Sequence, residues 1–138
     1  MKFVRGGNLF QLLCKFNHIP EINAKFYAVQ IISAFGHLHK CNIVYRDLKL
    51  ENVMLGEDGY VSLIDFGMAR YLEKGQLSSS ICGTKQYMAP EMIERKGHSF
   101  SLDWWTLGIF LYEMLFGYVP FLSNDLSEEE LIKMIKKK

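Results

Sequence analysis

Three carboxylates, an amide and an ammonium could do chemistry in this chain: Asp47, Lys49, Asn52, Asp65 and, later, Asp103. Carboxylate and amide oxygens are hard donors for a small divalent cation, and a lysine offers a point charge to an anion. Four of them fall in the clusters Tyr45-Arg46-Asp47-Leu48-Lys49-Leu50-Glu51-Asn52 and Asp65-Phe66-Gly67, a third string, Met88-Ala89-Pro90-Glu91, follows, and Asp103 comes after it. Any one such string recurs by chance. All of them, in this order and at these separations, are specific. A chain that merely folds has no physical need for Asp47, Lys49, Asn52 and Asp65 together.

The elements around them must hold loops in place. Asn8 to Phe16 reads as a short helix after the Gly6-Gly7 turn. Pro20 and Glu21 open a longer one, because proline suits the first turn and an acid suits the helix dipole. There Phe26, Val29 and Ile32 form one apolar row and Tyr27, Ile31, Ala34 and Leu38 another, which predicts a helix buried on both faces and ending near Lys40-Cys41-Asn42. Ile43-Val44-Tyr45, Val53-Met54-Leu55 and Tyr60-Val61-Ser62-Leu63-Ile64 are β-type runs, the last two joined by a Glu57-Asp58-Gly59 turn. Lys74 to Ser80 lacks any period and predicts a mobile loop. Pro90 to Glu94 predicts a short helix and Leu102 to Gly117 a long apolar one, with Trp104, Trp105, Phe110 and Tyr112 in the core. Ser127 with Glu130 forms a capping box for a last helix, supported by Glu129 and Lys133. The fold class predicted is mainly α with small β-hairpins (α+β).

Composition narrows the partners. The 138 residues carry 16 Lys+Arg and 15 Asp+Glu, a net charge of +1, with 49% hydrophobic residues. So balanced a charge argues against broad electrostatic capture of nucleic acid or an anionic membrane surface. No apolar run has the length of a membrane span, and Met1 to Gly7 breaks off before a signal-peptide core. Cys14, Cys41 and Cys82 are odd in number and unpaired in spacing, which predicts free thiols and a cytoplasmic or nuclear compartment. His18, His37, His39 and His98 have no paired ligand spacing and receive no role.

The three clusters are the signature set of protein kinases. From about Met1 to Lys138 the chain resembles the C-terminal lobe of a eukaryotic protein kinase, truncated and with the N-terminal lobe absent: hinge, catalytic loop and activation segment, through to about the helix that the family calls αG. Tyr45-Arg46-Asp47, Cys82-Gly83-Thr84 and Asp103-Trp104-Trp105 resemble the cAMP-dependent, Akt-like and protein-kinase-C-like Ser/Thr enzymes, the AGC group. Lys49 after Asp47 is the Ser/Thr pattern.

The resemblance implies phosphoryl transfer from ATP with Mg²⁺, a reaction that needs positioning and charge neutralisation more than covalent help. It implies Asp47 as catalytic base, Lys49 on the γ-phosphate, Asn52 and Asp65 as metal ligands, and Thr84 bonding back towards Asp47 and Lys49. Gly67 would let the chain turn after Asp65, and Asp103 would pin the catalytic loop. Met1 would stand at the gatekeeper position, the backbone of Lys2 and Val4 would meet adenine, Met54 would lie beneath the ring and Asn8 would face the ribose. Glu51 and Glu113 match carboxylates that receive an arginine of a basic protein substrate. Ser80 matches the activating phosphosite that an upstream kinase modifies, with Arg46 as its partner. Lys85-Gln86 departs from the usual Pro-Glu of the peptide-docking segment.

The span contains neither a glycine-rich phosphate loop nor the strand lysine paired with a helix glutamate, so as an isolated chain it is expected to be inactive and to expose apolar surface. Glu91 is expected to lack the arginine it normally meets. The alternatives are a non-catalytic kinase-like module that docks a partner, or a decayed gene fragment.

Overall fold

The computed structural model describes residues 6–121 and 127–136. The chain opens with α1 (Leu9–Phe16). Asn8 caps it, accepting the Gln11 N–H, while the Gln11 side chain accepts the Asn8 N–H in return. Asn17 closes it in the left-handed region at φ 63°. Helix α2 (Glu21–Lys40) follows, with Glu21 and Lys25 paired at 2.6 Å on its exposed side.

Strand β1 (Ile43–Val44) leads into the Tyr45–Asn52 loop, whose last residues form a 3-10 turn at Leu50–Asn52. Strands β2 (Val53–Leu55) and β3 (Val61–Leu63) form an antiparallel hairpin in the register Val53↔Leu63, Met54↔Ser62 and Leu55↔Val61. Strand β4 (Arg70–Tyr71) returns to pair with β1, Ile43 opposite Tyr71 and Val44 opposite Arg70. Two residues are too few for a period, so this pairing leaves no mark in the sequence. Helices α3 (Pro90–Ile93), α4 (Ser101–Phe116) and α5 (Glu128–Lys136) complete the order. The Ser127–Glu130 capping box is formed, whereas Glu129 and Lys133 make no ion pair among the described residues.

The core lies where α4 crosses α2, with α1 against the 3-10 turn and β2. Leu9, Ile31, Phe35, Tyr45, Leu50, Phe110 and Met114 are all within 1% of full burial there. The architecture is thus one of helices and small antiparallel sheets, as predicted. Three expectations are corrected. Only one flank of α2 is buried: Tyr27, Ile31 and Phe35 join the core, in which α4 also packs on the helix, while Phe26, Val29 and Ile32 stay exposed, Phe26 leaning on Tyr60 at 5.7 Å. Trp104 is 43% exposed rather than core, because its ring stands edge-on over His39 and Phe35 at the rim. The serine run is not a free loop: Ser78, 2% exposed, exchanges both backbone hydrogen bonds with His98 at 2.9 Å. No helix among the described residues is long and apolar enough to cross a membrane.

Candidate active site

The Tyr45–Asn52 loop takes its shape from a carboxylate far along the chain. Asp103, wholly buried in the first turn of α4, accepts the Tyr45 N–H at 3.0 Å and the Arg46 N–H at 2.9 Å, one on each oxygen. The His39 imidazole meets the same carboxylate at 2.7 Å. A buried charge needs such partners. They also hold Arg46 at φ 68°, a left-handed conformation that a side-chain-bearing residue adopts at a cost of about 1–3 kcal/mol.

Downstream of this anchor, Asp47 is 7% exposed. The Asn52 amide donates to its carbonyl at 2.9 Å and to Oδ2 at 2.8 Å, and Lys49 Nζ stands 3.2 Å from that Oδ2. One carboxylate oxygen is therefore fixed by two donors. The other, Oδ1, faces Gly83, where an added Cβ would stand 3.9 Å from it and 3.1 Å from the Arg46 carbonyl. Gly83, at φ 91°, brings the chain against the loop where a larger residue would not fit without movement.

The β2–β3 hairpin delivers the second acid. Ile64 donates its N–H to the Asn52 carbonyl at 3.0 Å, so Asp65 leaves the hairpin alongside Asn52. Asp65 sits at φ 57° and its Oδ1 accepts the Gly67 N–H at 3.1 Å. An added Cβ on Gly67 would come within 3.0 Å of that oxygen, which supports the role expected for this glycine. Tyr45 braces the turn: its hydroxyl donates to the Ile64 carbonyl and its ring meets Phe66 edge-on at 5.2 Å. Burial, with the charges of Asp47, Asp65 and Asp103, pushes the Tyr45 phenol well above its ordinary pKa, so it remains a donor.

With the Asn52 amide nitrogen engaged by Asp47, its Oδ1 and the second oxygen of Asp65 have no hydrogen bond among the described residues. No cluster of three or more His, Cys, Asp and Glu suited to a metal occurs among those residues. One carboxylate and one amide oxygen fit magnesium, which takes few protein ligands and fills its shell with phosphate and water.

The remaining predicted residues fall on two sides of this centre. Asn8 and Met54 form an isolated antiparallel bridge, and Leu55 N–H donates to the Gly7 carbonyl at 2.9 Å. The Asn8 oxygen is already committed to capping α1. Met1, Lys2 and Val4 lie outside the described residues. Glu51 and Glu113 converge on one groove of about 360 Å³, together with Thr84, Gln86, Tyr87 and Tyr118. The Tyr87 hydroxyl donates to Glu113 Oε2. Burial raises the Glu113 pKa above its ordinary value and the charge of Glu51 adds to this, while the Tyr87 bond opposes it. Tyr87, which sequence reasoning passed over, is shifted far upward by its own burial and by Glu113.

Thr84 lines a cleft with Asp47 and Arg46, yet no hydrogen bond joins its hydroxyl to Asp47 or Lys49. The Arg46 guanidinium ties the serine run down. Its Nε donates to the Met68 carbonyl at 2.7 Å, and Nη1 donates to Ser78 Oγ at 3.1 Å and Ser80 Oγ at 2.7 Å. The Glu91 carboxylate makes no ion pair among the described residues.

The protein kinase domain model matches residues 1–138. The chain is 45% identical over 134 residues, 96% of its length, to the Arabidopsis thaliana serine/threonine-protein kinase AtPK1/AtPK6. It is 47% identical over 121 residues, 88% of its length, to the catalytic subunit of cAMP-dependent protein kinase from Arthrobotrys oligospora. It is 43% identical over 138 residues, 99% of its length, to human ribosomal protein S6 kinase alpha-3. It spans 29%, 23% and 18% of those proteins respectively. The chain belongs to the protein kinase domain family, and its resemblance within that family is to serine/threonine kinases, AGC members among them.

Proposed function

We propose that these 138 residues are a C-terminal-lobe portion of a kinase domain that transfers the γ-phosphoryl group of ATP to a serine or threonine hydroxyl of a protein. The observation that carries the reading is the Asn52 amide, which fixes one oxygen of Asp47 beside Lys49 while the hairpin sets Asp65 next to Asn52. Asp47, through its other oxygen, accepts the hydroxyl proton as the new O–P bond forms and the bond to the β-phosphate oxygen breaks. Lys49 supplies positive charge beside the transferred group. Asn52 and Asp65 would hold Mg²⁺, which would neutralise charge on the phosphate oxygens. Lys2, Val4, Met54 and Asn8 form the nucleotide's adenine and ribose side, Asn8 through its remaining amide N–H groups.

Glu51 and Glu113 in one groove suit a basic residue of the substrate peptide. Ser80 is the site an upstream kinase phosphorylates, because Arg46 already holds its hydroxyl. Thr84 closes the wall of the cleft near Asp47. The free, exposed Cys14 and Cys41 suit a reducing cytoplasmic or nuclear setting.

The span carries no glycine-rich phosphate loop, so the isolated polypeptide turns over ATP slowly or not at all. Joining it to the N-terminal lobe of the related S6 kinase tests the whole reading. The chimera phosphorylates a basic serine peptide, and Asp47→Ala and Asp65→Ala each abolish this. A chimera that binds ATP but gives the same residual rate with and without these changes would mark a non-catalytic module.

A further inference from the structure

We propose that His98 is the second cation of the anion pocket around Ser80, taking up a proton when that serine carries a phosphate and releasing it when the phosphate is removed. This rests on the reading of Ser80 as the phosphosite and adds to it a residue outside the three motif clusters.

The geometry begins with the bridge between Ser78 and His98. Directly opposed residues of an antiparallel pair project their side chains on the same face, with Cβ atoms about 5 Å apart. Ser78 Oγ accepts from Arg46 and lies 2.9 Å from Ser80 Oγ, so the His98 ring stands on the face where Arg46 and both hydroxyls meet. His98 is 2% exposed, and its Nε2 is buried with no hydrogen-bond partner among the described residues. A buried polar atom left unpaired is costly, and the strand pairing sets this one on the side of the hydroxyls that Arg46 holds.

The charged groups whose fields reach the ring come from three elements: Arg46 from the Tyr45–Asn52 loop, Arg70 from β4 and Asp103 from α4. Burial foremost, then Arg46 and Arg70, hold the imidazole below its ordinary pKa, against the opposing pull of Asp103. Without an acid at Ser80 the ring is therefore neutral and its nitrogen idle. A phosphate ester there brings about two negative charges and three acceptor oxygens, offsetting Arg46 and giving a protonated ring its partner. Burial excludes Ser78 from the serine run, and the Arg46 hydrogen bond selects Ser80 over the more exposed Ser79. Ser78 is closed off at 2% exposed, and Ser79 makes no hydrogen bond to Arg46.

The sign of the pH dependence follows. In the unmodified chain the folded pKa of His98 is depressed, so stability falls as pH drops below the ordinary value of 6.5. With phosphoserine the folded pKa is raised, so the contribution is present in acid and is lost as pH rises through it.

The test uses the full chain with phosphoserine installed at position 80, beside the unmodified chain. The Cε1 proton resonance of His98 is followed against pH and the phosphate by phosphorus NMR, because the two groups titrate together near pH 6. The expected result is an upward shift of the His98 midpoint of about one pH unit or more on phosphorylation. An unchanged midpoint overturns the proposal, and this comparison needs no variant at His98. In the phosphorylated chain, His98→Gln and Arg46→Gln are each expected to displace the phosphorus titration. If Arg46→Gln displaces it and His98→Gln does not, the assignment of His98 fails while Ser80 stands. If neither does, both fail.

Discussion

Asp103 holds Arg46 in a left-handed conformation by accepting its backbone N–H at 2.9 Å across 57 residues of sequence. The same carboxylate takes the preceding N–H, so the two peptide groups before Asp47 are aimed by α4 rather than by their own neighbours. Asp103→Asn keeps the volume but turns one acceptor into an NH₂ group facing a backbone donor. The expected loss is about 2–4 kcal/mol of folding stability. Urea denaturation reads it directly, and a loss below about 1 kcal/mol would contradict the anchoring role.

Asp47 and Asn52 act differently although they touch. In a domain completed with an N-terminal lobe, Asp47→Asn is expected to lower kcat by about 10²–10⁴-fold with little change in KM for ATP. Asn52→Ala should also slow turnover, but excess Mg²⁺ should recover part of its rate. Equal recovery in both variants would count against separate roles.

Glu113 carries opposite consequences for stability and for substrate. Its folded pKa lies above the ordinary 4.5, so the fold binds a proton that the unfolded chain releases, and its contribution declines as pH rises through that window. Glu113→Gln is expected to raise the urea midpoint at pH 7, with the gain vanishing near pH 4. It should also weaken an arginine-containing peptide about tenfold. A variant no more stable at pH 7 than at pH 4 would show that burial does not strain this carboxylate.

Along α2, Ile22 is 75% exposed and Val29 65%, next to half-exposed Phe26 and Ile32. A stripe of this kind promotes self-association. Ile22→Lys combined with Val29→Lys should raise the soluble concentration of the polypeptide while leaving its melting temperature within about 2 °C, since neither side chain is packed. Sedimentation and thermal melts check both halves, and a large drop in melting temperature would place these residues in the core after all.

Elements with a period were legible in the residues: α1, α2, α4 and the β2–β3 hairpin lie where their apolar spacing and turn residues put them. The motif residues stand out by type, and the structure brings Asp47, Lys49, Asn52 and Asp65 together. What did not show was decided by contacts between distant segments. Nothing in Arg70-Tyr71 announces a partner in Ile43-Val44. The spacing of His39 and His98 says nothing of Asp103 or of Ser78. Spacing equally gives α2 two apolar rows without telling which one will join the core. Asn8 shows the same limit, since its oxygen turns to its own helix before any ligand.

The anchoring of Tyr45 and Arg46 by a residue 58 and 57 positions later also orders events in time. Local hairpins close in microseconds, whereas contacts this remote wait for most of the intervening chain. A nascent polypeptide halted before Asp103 emerges can build the hairpin but has no means of setting the Asp47 loop, which waits for the helix that comes after the serine run.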